Sequence, residues 1–187
     1  MKKEDNNPIF PPQTILAFKI IGLVLVVVLM YWLSNRKIEN SSAAYDLSVA
    51  SAQLQSLSNN IRNYYSQAPD YQELSLEDVE VFPENMPEQK HAFGGKVDLG
   101  ALWYNDIPGG AFAVAYNNLS AEQCVKMLTQ EHGLAGVIGV EVDTYDAVIP
   151  SVAKPKITEK MLPLSPSYAH DLCEAIDPTN SIIWMFY

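Results

Sequence analysis

The stretch Thr14 to Ser34, TILAFKIIGLVLVVVLMYWLS, holds one charge, Lys19, and no proline. At about 1.5 Å per residue it makes a helix roughly 31 Å long, close to the hydrocarbon thickness of a bilayer. No cluster of helix breakers follows it. Instead Leu47, Ala50, Leu54, Leu57, Ile61 and Tyr64 recur at spacings of 3, 4, 3, 4 and 3, the a/d seam of a heptad repeat. One helix is therefore expected over residues 14 to 66, membrane-spanning at first and amphipathic beyond, ending before Ala68-Pro69-Asp70. Unbroken, it would be about 80 Å long, more than one small sheet can cover. The seam is thus expected to serve packing against copies or relatives as well as against the chain's own sheet.

This divides the chain into a polar, cytoplasmic tail (1–13), a transmembrane half-helix (14–34), an amphipathic half-helix (35–67) and a globular head (68–187). The apolar run exceeds a signal-peptide core of about 7 to 15 residues and no small-residue cleavage pattern follows it, so it is expected to be retained. Net charge is −10, and everything beyond Lys19 accounts for −11. So acidic a surface repels phosphate backbones, which argues against nucleic-acid binding. Lys2 and Lys3 on one flank of the apolar run match Arg36 and Lys37 on the other, so the positive-inside rule does not orient it. Cys124 and Cys173 stand outside any CxxC or Cys/His grouping. They are compatible with one structural disulfide in an oxidising compartment, or with two unrelated buried thiols. The disulfide reading puts the N-terminus in the cytoplasm and the head outside it.

The head reads as α+β, an antiparallel sheet packed on the C-terminal half of the long helix. Residues 67 to 95 form a loop with a short turn at Ser75 to Glu80. Its Phe93-Gly94-Gly95 implies either a close backbone approach or a strand start needing positive φ. Strands are expected at Lys96–Tyr104, Ala111–Tyr116, Val137–Val142 and Tyr145–Ile149, with Asn105 to Gly110 as a turn. Ser120-Ala-Glu-Gln123 is a capping box opening a helix that runs to about His132 and stops at Gly133. Ser165-Pro166 starts a second helix through Ala175. Ser181 to Tyr187, SIIWMFY, is apolar enough for a central strand.

Catalytic chemistry is not indicated. His91, His132 and His170 are far apart in sequence and read as surface or helix-end residues, His132 suiting a helix C-terminus. Glu141, Asp143 and Asp146 lack the glycine and closing glutamate of a calcium loop and read as a solvated turn. No nucleophile elbow, phosphate loop or dinucleotide fingerprint occurs. No enzyme activity, cofactor, metal or small-molecule substrate is expected.

Four features together resemble the type IV pilins, in particular the type IVb branch and its pilin-like relatives. They are the membrane-to-amphipathic helix ending in Asn63-Tyr64-Tyr65 and the Phe93-Gly94-Gly95 element. Next come Ala111-Phe-Ala-Val-Ala-Tyr116 followed by Ser120-Ala-Glu-Gln-Cys124, and Leu172-Cys173 ahead of an apolar last strand. The resemblance covers nearly everything from residue 14 on. It implies a ladle-shaped subunit with a Cys124–Cys173 disulfide, assembled through its N-terminal helix.

Two departures shift that expectation. No glycine precedes the apolar run, and Gly22 within it is followed by Leu23-Val-Leu-Val-Val27 without an acid. The position of the family's glutamate falls near Phe18 or Lys19. Lys19 either snorkels to the headgroups or pairs with a carboxylate of a neighbouring subunit or platform protein. The expected role is a minor or accessory pilin-like subunit in the inner membrane, head in the periplasm, whose partners are other pilins or an assembly platform. The alternative is a single-pass component of a secretion or conjugation apparatus that never enters a filament.

Overall fold

The computed structural model describes residues 12–144, 147–173 and 180–187; between residues 12 and 45 only the side chains at 22 and 24–31 are described. The first helix, α1, spans Pro12–Tyr64, 53 residues. It starts on a proline, whose missing N–H costs nothing in a first helical turn. The chain divides into two compact units, Met1–Ala44 and Tyr45–Tyr187. The last two decades of α1 therefore belong to the head unit. Among the described residues no helix is long and apolar enough to cross a membrane.

In the head, α1 gives way to a 3₁₀ turn at Tyr65–Gln67 and then to a loop with two further turns, Val79–Val81 and Pro87–Gln89. Strand β1 (Val97–Tyr104) and strand β2 (Ile107–Leu119) form a hairpin; helix α2 (Ala121–Thr129), β3 (Val137–Thr144), β4 (Ile157–Thr158), α3 (Pro166–Leu172) and β5 (Asn180–Phe186) follow. The sheet order is β1-β2-β5-β3-β4, every pair antiparallel. The last strand is central and buried along its whole length, as its composition implied.

Several boundaries differ from the sequence reading, each for a local reason. The hairpin turn is only Asn105-Asp106, with φ of 51° and 62°, the two left-handed residues of a tight two-residue connection. Ile107 to Gly110 join the strand. Pro108 is tolerated there because β5 pairs with β2 only from Phe112 onward in that direction. The capping box forms as read: Gln123 N–H donates to Ser120 Oγ and Ser120 N–H to Gln123 Oε1. The helix stops at Thr129, earlier than His132, with Gln130 already extended. Residues 147 to 149 are not a strand, and 145 and 146 lie outside the described residues. The fourth strand is instead the two-residue β4, between Pro155 and Pro163, where the sequence reading places no strand. Helix α3 ends at Leu172 with Cys173 as its cap; residues 174 and 175, where it was expected to finish, are outside the described ones.

Two apolar layers sandwich the sheet. On one face Ala50, Leu54, Leu57 and Ile61 of α1 meet Phe112, Val114 and Tyr116 of β2 and Ile182, Trp184 and Phe186 of β5. On the other, Leu102, Ala113, Ala115, Ile183 and Met185 are covered by Ala147, Ile149 and Ala153. The outer edge of β1 is closed where Trp103 N–H donates to Ser151 O and Ala153 N–H to Trp103 O, which removes part of a free strand edge.

Arg62 clasps the end of α1 to the sheet. Its Nε donates to Tyr187 O at 3.1 Å and its Nη2 to Ala135 O, while the guanidinium carbon lies 5.7 and 5.5 Å from the ring centroids of Phe112 and Phe186. Gly136 makes room: a Cβ there would sit 2.7 Å from Nη2. A lysine cannot reproduce a planar fork stacked on two rings. Arg62→Lys is expected to destabilise the head by about 2 kcal/mol, the scale of hydrogen bonds from a charged donor. Urea unfolding of the two proteins checks it; equal midpoints would mean that charge alone suffices.

Candidate functional site

The candidate site is the junction between α1 and the head, because every residue singled out for assembly or structure falls on it or on the helix leading to it. The structure separates the seam residues sharply. Ala50, Leu54, Leu57 and Ile61 are 0% exposed, spent on the chain's own core, whereas Tyr64 is 52% exposed and Leu47 packs at the core's margin. Those four cannot also face a neighbouring subunit. A 3-4 periodicity reports that a stripe is buried, and it is the same whether the covering surface is a sheet or another helix.

Three loop contacts fix the junction. Gln53, 2% exposed, donates from Nε2 to Asn85 O and accepts at Oε1 from Ala92 N–H. Asn60 donates to Val81 O at 3.0 Å. Both amides reach out of α1 and supply partners that the loop backbone could not find in a sheet. The third contact is built on Phe93-Gly94-Gly95, and the two sequence readings of that triplet are divided between its glycines. Gly94 has φ +86°; Gly95 has an ordinary φ, but a Cβ on it would collide with Asn117 O and lie 2.5 Å from His91 Nε2.

His91 is not a surface residue. It is 2% exposed, its ring stacked on Tyr116 at 4.7 Å. Nδ1 accepts from Phe93 N–H at 3.2 Å, so the ring proton sits on Nε2 and donates to Asn117 O at 2.7 Å. Asn117 in turn donates to Asp98 and accepts from Ala147 N–H. It is turned inward by a bulge at Asn118, φ 60°. His132 is half-buried, edge-on to Trp184, with its nitrogens facing Ser51 Oγ of α1 and Met127 O in the last turn of α2. It does serve a helix C-terminus, with two residues between it and the end of α2. His170 is exposed on α3. Burial holds both buried rings below the ordinary histidine range, against the opposing pull of their carbonyl partners, Asn117 and Met127.

That fixes a sign. A ring held neutral in the fold but free to protonate near pH 6.5 when unfolded means the unfolded chain binds more protons in acid. The stability His91 and His132 contribute is fully present above about pH 6.5 and is lost as pH falls through that value towards their lower folded ones. For His91 the geometry agrees, since a second proton on Nδ1 would face the Phe93 N–H. Unfolding free energy measured from pH 8 to 5 is expected to fall, and to fall less steeply in His91→Gln. Equal slopes would show that carboxylates elsewhere set the acid response.

Cys124, in α2, and Cys173, capping α3, are joined by a disulfide with Cα atoms 5.9 Å apart, across 49 residues. Neither α2 nor α3 is long enough to persist alone; the bond and the Leu164 N–H to Leu128 O hydrogen bond hold them together. Among the described residues no group of three or more His, Cys, Asp or Glu could hold a metal ion. Glu141 pairs with Lys156 at 3.4 Å, Asp143 lies on β3, and Asp146 is outside the described residues. The Lys19 side chain is outside them too. Gly22 is exposed with open space around it, and the side chains from Val24 to Tyr31 are exposed at 53 to 69%.

A family model described as PilS N terminal matches residues 37–185. In structure the chain is similar to the type IV pilin TcpA from Vibrio cholerae El Tor biotype, with a TM-score of 0.57 and 13% identity over 76% of this chain and 99% of that one. A type IVb pilin from Salmonella typhi aligns with a TM-score of 0.46 and 13% identity over 75% of this chain and 97% of that one. No curated protein matches. With all of the head but its last two residues inside the family match, and with a helix-on-sheet fold shared with a type IV pilin, this chain belongs to the PilS N-terminal family.

Proposed function

We propose that the chain is a pilin-like structural subunit, minor or accessory, of a type IVb pilus or a related filament or secretion machinery. The observation that carries this is the family match over the head joined to a pilin-type fold in which α1 is locked to the sheet. On this reading residues 14 to 34 anchor the protein in the inner membrane with the tail in the cytoplasm and the head in the periplasm. Support comes from eight consecutive apolar side chains exposed all round α1, Val24 to Tyr31, a pattern that needs lipid or other helices to cover it. Assembly then proceeds through this apolar part of α1, since the head-proximal seam is consumed. The disulfide suits an oxidising compartment.

N-terminal mass determination on membrane-extracted and sheared-filament fractions tests the reading. A subunit recovered from filaments supports it. An intact N-terminus found only in membranes supports a single-pass component of a secretion or conjugation apparatus. Lys19→Leu discriminates further. If Lys19 pairs with a partner's carboxylate, the exchange is expected to abolish co-purification with other pilus components; unchanged recovery would leave snorkelling as its whole role.

A further inference from the structure

The two buried histidines are bonded differently, and the difference decides what a second proton does to each. At His132 it breaks nothing. Ser51 Oγ donates to Leu47 O at 3.0 Å, so it is free to accept from a protonated Nδ1, while Nε2 already faces the Met127 carbonyl. At His91 it breaks a bond. Nδ1 accepts from Phe93 N–H and Nε2 donates to Asn117 O, so a proton on Nδ1 sets two donors against each other. The ring has little room to adjust in its seat, stacked on Tyr116 and lying tight against Gly95.

His91 also borders a groove of about 500 Å³ between α1 and the loop, lined by Asp46, Glu88 and Lys90 among others. The charges around it favour an imidazolium. Asp46 comes from α1 and Glu88 from the loop. Strand β1 adds Asp98, one hydrogen bond away through Asn117. Strand β2 offers the Tyr116 phenol, which burial keeps neutral. The opposing cations are Lys90, paired with Glu88, and the exposed Lys96.

The loop carrying His91 is also strained. Glu88 and Gln89 have φ of 55° and 56°, consecutive left-handed residues without a glycine. Such backbone persists only while surrounding contacts enforce it. Here they come from Gln53, which grips Asn85 O and Ala92 N–H, from Gln89 Nε2 on Leu76 O, and from His91 on β2.

We propose that His91 is an acid-operated latch on this loop. On taking a second proton its ring leaves the seat between Tyr116 and Gly95 for the groove beside Asp46 and Glu88. Residues 85 to 95 then loosen from α1 and β2. The rest of the head stays folded, held by the Arg62 clasp and the Cys124–Cys173 bond. The latch is independent of how α1 assembles.

The test follows amide hydrogen exchange of the full chain in detergent micelles from pH 8 to 5, corrected for the intrinsic pH dependence of exchange. The Ala92 and Phe93 N–H groups bond Gln53 and His91. Their protection is expected to fall by about tenfold or more in acid. The amides of Cys124 in α2 and Tyr187 at the clasp should keep theirs. In His91→Gln the loop amides should lose this response. In the double variant Asp46→Asn, Glu88→Gln, neither residue being buried, the opening should need a pH lower by about half a unit or more. That variant carries the test alone if His91→Gln does not fold. Loop protection constant with pH, a loss shared equally by Cys124 and Tyr187, or an opening unchanged in either variant would overturn the latch.

Discussion

Gly95→Ala is expected to be the most damaging single-methyl change in the head, lowering its unfolding free energy by about 3 kcal/mol or more. The new Cβ would occupy the space of Asn117 O and press on His91 Nε2 and Cε1, at 2.5 and 2.9 Å. That carbonyl is backbone within β2 and cannot retreat without opening the sheet at its bulge, so the cost lies at the upper end of overpacking. The His91–Asn117 bond would be lost with it. The control is the neighbouring glycine. Gly94→Ala meets nothing within 4 Å and pays only for a left-handed backbone at φ +86°, about 1 to 2 kcal/mol. Denaturant unfolding of both variants decides the matter: if the two cost the same, conformation and not close approach is what the double glycine supplies.

Removing the disulfide is expected to have the second large effect. Cys124 and Cys173 are 0% and 2% exposed, so both are best replaced by alanine, which leaves no buried hydroxyl to satisfy. With the two cysteines 49 positions apart in sequence, loop-closure entropy gives a loss of about 4 kcal/mol, or roughly 8 to 16 °C in Tm. Treating the unaltered protein with a thiol reductant should move Tm the same way. A loss below about 1 kcal/mol would mean that packing of Ala169 and Leu164 holds α3 in place without the crosslink.

How much of this was legible beforehand depended on whether a feature is local. The capping box at Ser120, the end of α1 near Tyr64 and the central character of SIIWMFY were readable because each is decided within a few residues. What failed was decided elsewhere in the chain. Strand β4 is two residues long and exists because Gly139 lets Ile157 O and Pro155 approach, a contact no window of sequence contains. NDIPGG looks like one long turn until the extent of β5 shows where a proline can sit. His91 and His132 have the composition of surface residues; their burial follows from the bulge at Asn118 and from the packing of Trp184. The heptad stripe reads as shared between the chain's own sheet and neighbouring subunits; the coordinates show that Ala50, Leu54, Leu57 and Ile61 are spent wholly on the sheet, while Tyr64 is exposed.

Strand β5 has a consequence for the order of events in synthesis. It lies between β2 and β3, so until residues 180 to 186 are available the sheet exists only as two separate fragments, β1-β2 and β3-β4. Cys124 and Cys173 both precede it. The covalent crosslink can therefore close around a half-built head, and residues 180 to 186 must then insert into a gap already framed on both sides. A chain paused before that segment would present two unpaired edges at once, which is the state most exposed to aggregation and to proteases.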